Sequence, residues 1–245
     1  MNGFRWIVLL FAFVTAMPAM AFSTDDERVD SYLSVLATAT DETKEVMLNR
    51  LQWSGLSDPR FYDEVENRLL TSYLSQDGRE FNLLAYHARA LGYSGNPKYR
   101  DTLVKVHKEA VNGKLRRHAE KALRDLDKFA VWNEKIRKSG LVVEGKSVEV
   151  ATYLRMLSVD DVFVQRLAAR AIFHEKRRDD DLLASVAKSL KALYLKPGLD
   201  AAAQDTAAWF CKALGQSRSP DYLTLLGKVA DETPYKKIKK YAQKY

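Results

Sequence analysis

The residues of this chain whose types could do chemistry are four histidines, one cysteine and two short acidic runs. His87, His107, His118 and His174 fall on different segments, and none has a second histidine four residues away. A helix that holds a metal through two imidazoles needs that spacing, so no metal site is expected. Cys211 sits in Trp209-Phe210-Cys211-Lys212-Ala213-Leu214, an apolar helical stretch in which a thiol is expected to behave as a small buried hydrophobe rather than a nucleophile. Asp179-Asp180-Asp181 and Asp25-Asp26-Glu27 open predicted helices, where carboxylates meet the positive end of the helix dipole; capping is expected there in place of calcium binding. The chain contains no HExxH, GxSxG, GxxxxGK or GxGxxG pattern. The expectation is no catalytic residue, no cofactor and no metal.

Basic residues are the stronger pattern. Lys114, Arg117, Lys121, Arg124 and Lys128 follow i, i+3, i+7, i+10 and i+14, which puts them on one helical face opposite an apolar one. Arg166, Arg170 and Arg177 continue the theme, and Lys236, Lys237, Lys240 and Lys244 do so near the C-terminus. Such stripes are either solvated faces or contact surfaces for anions, and a guanidinium suits two-pronged contact with a carboxylate or phosphate. Lys114, Arg117, Lys121, Arg124, Lys128, Arg166 and Arg170 are the candidate partner-binding residues.

The ends and the composition bound the setting. Arg5, the apolar run Trp6 to Ala16, Pro18 and the small-x-small sequence Ala19-Met20-Ala21 predict a signal peptide over 1–21, cleaved to leave Phe22 first. The apolar run is too short to span a bilayer. A periplasmic or secreted destination follows. There the single cysteine permits no intrachain disulfide, so stability has to come from packing. The formal net charge of +7 is moderate and mixed along the chain, which argues against a dedicated nucleic-acid protein and for mild attraction to acidic partners.

From Asp25 onward the hydrophobic spacing is helical, with no sustained period-two alternation. Leu115, Ala119, Ala122, Leu126 and Phe129 form the clearest stripe. Read this way, the chain is all-α, with helices over 25–38, 41–54, 59–74, 79–92, 97–110, 114–137, 146–157, 161–175, 179–194, 201–215, 220–230 and 234–245, in one domain over 22–245. Leu91-Gly92-Tyr93-Ser94-Gly95-Asn96-Pro97-Lys98-Tyr99 returns as Leu214-Gly215-Gln216-Ser217-Arg218-Ser219-Pro220-Asp221-Tyr222, and Gly55 to Phe61 is a looser copy. A recurring phrase of this kind marks stacked helical hairpins. Gly55, Gly92 and Gly215 are expected to close helices in the left-handed conformation; Asp58, Asn96 and Ser219 to cap the next ones; and Pro59, Pro97 and Pro220 to occupy first helical positions.

These features resemble the HEAT-repeat family. Asp161-Val162 leading to Arg166-Leu167-Ala168-Ala169-Arg170-Ala171-Ile172 looks like the second helix of such a repeat, and Lys114 to Leu123 and Ala203 to Phe210 look like further copies. The step of 38 residues from the looser copy and the stretch Lys128 to Lys146, which lacks the Gly/Pro turn, depart from the family pattern. The resemblance implies an α-solenoid of about six antiparallel helix pairs whose second helices line a concave side, so that the basic stripes form one discontinuous track. The expected function is a non-catalytic scaffold for a protein partner with an acidic or extended segment, with no nucleic acid bound. The alternatives are a solenoid subunit of a lyase- or hydrolase-like envelope enzyme, or a binder of anionic lipids or wall polymers.

Overall fold

A computed structural model describes residues 22–75, 77 and 81–245, so the predicted signal peptide lies outside the described residues. Among the described residues the chain is all-helical, with twelve α-helices and no strand. They are α1 (Asp25–Thr38), α2 (Asp41–Ser54), α3 (Pro59–Ser72), α4 (Phe81–Ser94), α5 (Arg100–Glu109), α6 (Gly113–Arg137), α7 (Val148–Ser158), α8 (Val162–His174), α9 (Asp180–Leu193), α10 (Ala201–Ser217), α11 (Pro220–Glu232) and α12 (Lys236–Ala242). A single 3-10 turn, Pro97–Tyr99, precedes α5. No helix of the described chain is long and apolar enough to cross a membrane.

The repeated phrase folds the same way three times, but its register differs from the expected one. Ser54, Ser94 and Ser217 each turn a hydroxyl back to the carbonyl three residues earlier (Leu51, Leu91, Leu214) and accept the backbone N–H two residues later. The residue after each serine takes the left-handed conformation: Gly55 (φ 63°), Gly95 (φ 65°) and Arg218 (φ 59°). Gly92 and Gly215 are therefore interior helical residues, not helix closers. Gly92 is needed for another reason, since a Cβ there would stand 2.7 Å from the carbonyl oxygen of Ala122 on α6. Asp58 and Asn96 do cap the next helices through their side chains, whereas Ser219 makes no such bond. Asp179 likewise caps no backbone N–H with its side chain; it holds Arg177 instead.

Side-chain bonds between neighbouring pairs span nearly constant sequence distances. Tyr99 donates to Asp63 and Thr102 to Glu66, each across 36 residues; Tyr194 donates to Glu232 across 38; Arg166 pairs with Asp205 across 39. Each pair thus meets the next at matching positions.

Two groups of second helices lie side by side, α2–α4–α6 and α8–α10–α12. They are joined where α2 meets α8. The first turn of α8 touches the C-terminal part of α6 through the stacked rings of Trp132 and Phe163 and the Lys135–Asp161 ion pair. Its last turn touches the end of α2, where Trp53 stacks on His174 and donates from Nε1 to Glu175. The helix α8 therefore reaches from α6 to α2. The buried core is continuous across this junction and includes Leu51, Trp53, Tyr153, Ala168 and Ile172.

Candidate functional site

The junction opens a groove of about 550 Å³ on the faces of α2, α4, α6 and α8. Helical spacing brings its side chains together: Tyr86, Arg89 and Tyr93 follow i, i+3, i+7 on α4, His118 and Lys121 follow on α6, and Arg170 and His174 on α8. Arg50 and Trp53 complete the wall from α2.

Three residues that line this groove, one from each of three helices, carry a buried nitrogen that no protein atom among the described residues satisfies. These are Arg89 Nη1 from α4, His118 Nδ1 from α6 and Arg170 Nε from α8. Leaving a buried polar atom unmatched costs about 1–3 kcal/mol, so three such nitrogens on residues of one groove are a concentration of unused hydrogen-bonding capacity. Arg89 is fixed by the rest of its guanidinium, which donates to the Tyr93 hydroxyl at 2.8 Å and pairs with Asp125 at 2.7 Å.

Arg170 lies between two indoles. Its guanidinium carbon is 5.7 Å from the Trp53 ring centre and 5.5 Å from that of Trp209 on α10. Lys212, one turn beyond Trp209, places its ammonium 3.5 Å from the same indole and 4.8 Å from Tyr241 on α12. Cations and rings therefore alternate from α2 through α8 and α10 to α12, each cation held by the negative face of a π-system.

The titrating groups record a positive field. Burial first, then Arg89 and the neighbouring lysines, hold the His118 imidazole below its ordinary pKa. Burial, followed by Arg170 and Lys212, does the same to His174. The Arg89 guanidinium, more than burial, pulls the Lys121 ammonium down, and burial with Arg166 lowers Arg170. Both shifts favour the neutral imidazole, so arginine and lysine supply the charge there.

Of the seven residues singled out from the sequence, Lys121 and Arg170 line this groove. Arg166 on the same helix is engaged by Asp205 at 2.9 Å. Arg124 pairs with Glu120 along its own helix, Lys128 stands 3.9 Å from Asp125, and Lys114 donates to the Asn82 side chain. Arg117 is exposed. The stripe on α6 is thus divided between the groove and an outer surface. Trp53, Arg89, His118, His174, Trp209 and Lys212 were missed; their signal is ring and cation at three- and four-residue spacing on the second helices. Cys211 is buried, and burial lifts its thiol to about 12.

No family model matches this chain, and no curated protein does. One solved structure, human deoxyhypusine hydroxylase in complex with glycerol, is similar at 13% identity with a TM-score of 0.34, over 88% of this chain and 82% of that one. That protein is an enzyme. The non-catalytic scaffold expected from the sequence is not kept as the reading of this chain, and at this level of similarity the neighbour lends the chain no activity of its own.

Proposed function

We propose that the chain is an exported helical-repeat protein whose groove binds an anionic ligand, one that presents a carboxylate or phosphate beside a flat ring or sugar face. The single observation that supports it most is that Arg89, His118 and Arg170, which line one groove, each carry a buried nitrogen unmatched among the described residues. An oxyanion accepts from all three donor types, provided His118 carries its proton on Nδ1, while the half-buried ring of Tyr86 offers ring contact. The export reading rests on the sequence of residues 1–21. The repeat reading is of two stacks of three helix pairs, α1–α6 and α7–α12, joined at α2 and α8; the regular 36- to 39-residue spacing of inter-pair bonds supports it.

Titration of Trp53 and Trp209 fluorescence tests this proposal. An acidic oligosaccharide containing uronic acid should bind, and its neutral counterpart should bind at least ten-fold more weakly. Equal binding of the two, or an Arg170→Gln variant that binds as the parent does, would end the anion-site reading.

A further inference from the structure

Trp53 also borders a second cavity, of about 50 Å³, lined by Phe22, Tyr32 and Val35 and by the charged side chains of Arg28, Glu149 and Glu175, among others. It is too small for an organic ligand. Its chemistry points instead to a segment of this chain. Glu149, in the first turn of α7, is only 8% exposed, and its Oε1 is buried without a hydrogen-bond partner among the described residues. Its other oxygen, Oε2, stands 3.4 Å from the backbone nitrogen of Phe22. Phe22 is itself held in place from two sides. Its carbonyl accepts from Val148 N at 2.8 Å, and its ring packs edge-on against Tyr32 with centroids 6.0 Å apart.

A buried carboxylate with one unmatched oxygen beside a single amide donor is an incomplete arrangement, because one N–H does not offset the desolvation of a full charge. An ammonium at the same atom would. We infer that Phe22 N is the α-amino group of the mature protein and that Glu149 is the receptor for it: removal of residues 1–21 completes a buried ion pair. The inference depends on the export reading of those residues and is independent of what the groove binds. The step is a hydrolysis by water under an endopeptidase of the export machinery. The Ala21–Phe22 C–N bond breaks, the hydroxyl of water joins the Ala21 carbonyl carbon, and its hydrogen goes to Phe22 N. The acid formed on Ala21 gives up a proton and the amine takes one up, so charge is conserved. Three donors then replace one, and Oε1 comes within the reach of a rotating ammonium.

The experiment is a two-by-two comparison on the mature chain. N-terminal sequencing of protein exported from its precursor should return Phe22 as the first residue. Preparations that begin at Phe22, and others with one extra glycine ahead of it, are then compared by thermal unfolding, each with Glu149 and with Glu149→Gln. The added glycine moves the ammonium away from the carboxylate and leaves an amide at the Phe22 nitrogen. It should lower the Tm by about 3–6 °C when Glu149 is present and by less than about 1 °C in Glu149→Gln, where an amide oxygen faces either nitrogen without charge. A first residue other than Phe22 would overturn the inference. So would an extension penalty that is the same with Glu149 and with Glu149→Gln. The groove is read separately by ligand titration, so either proposal can fail alone.

Discussion

Arg170 contributes through what surrounds it. Two indoles hold its guanidinium in place, so the Nε donor is oriented before any ligand arrives. Replacing it with glutamine keeps much of the length but loses the charge, and binding of an anionic oligosaccharide should fall by about ten-fold or more, since a charge-assisted hydrogen bond contributes about 1.5–3 kcal/mol. Titration at two salt concentrations checks this, with the parent losing affinity as salt rises and Arg170→Gln losing less. A different residue governs acid stability. His87 is 3% exposed on α4, its Nδ1 lies 2.8 Å from the Leu83 carbonyl, and burial drives its pKa down to about 4, with Arg68 and Lys44 adding to the shift and Asp41 opposing it. Because the folded value lies below the unfolded one of about 6.5, protons bind preferentially to the unfolded chain in between. The contribution is intact above pH 6.5 and is lost as pH falls towards 4, by about 3 kcal/mol in all. Urea unfolding at pH 7 and pH 4.5 should show the loss in the parent and a smaller one in His87→Leu.

At the level of helices and their junctions, most of the architecture was legible in advance. The apolar stripes gave the twelve helices nearly to their ends, because each stripe has one face to bury and a Gly, Pro or Ser punctuates its limits. The turn register was not legible. Gly92 matched Gly55 as a letter, but the left-handed position follows the serine, and the interior glycine answers to a neighbouring helix that no local pattern reveals. Gly92→Ala should therefore cost about 1–3 kcal/mol, since the clash is with backbone that cannot turn away. Gly215→Ala should cost less, because there the obstacle is the ring of the terminal residue Tyr245. Arg218 occupies the left-handed position held by glycine in the other two copies, so Arg218→Gly should be stabilising, by up to about 1 kcal/mol. Thermal melts of the three variants rank these effects.

The molecule as a whole turns on Trp53. Its ring stacks on His174, its indole N–H reaches Glu175, and Tyr153 donates to that same carboxylate at 2.8 Å. Burial raises the Glu175 pKa, and these two donors work against the rise. Trp53→Ala should remove about 3–5 kcal/mol and separate the unfolding of α1–α6 from that of α7–α12, seen as two transitions in urea where the parent shows one. The site is less legible than the fold for a physical reason. Lys121 and Arg170 were visible as members of stripes, but Trp53 meets Arg170 only because α8 reaches across to α2, a contact between residues more than a hundred positions apart, while Arg89 and His118 join from α4 and α6. Periodicity reports which face of a helix is buried and says nothing of which distant helix covers it.

That crossing also sets a timetable. The hairpin made first, α1 with α2, meets α3 and α4 early, but its side at Trp53 is completed only when Glu175, 122 positions further along the chain, has appeared. Loop-closure entropy sets that one contact behind the local ones between neighbouring hairpins. During synthesis the lock at Trp53 therefore forms only after the fourth hairpin has been made.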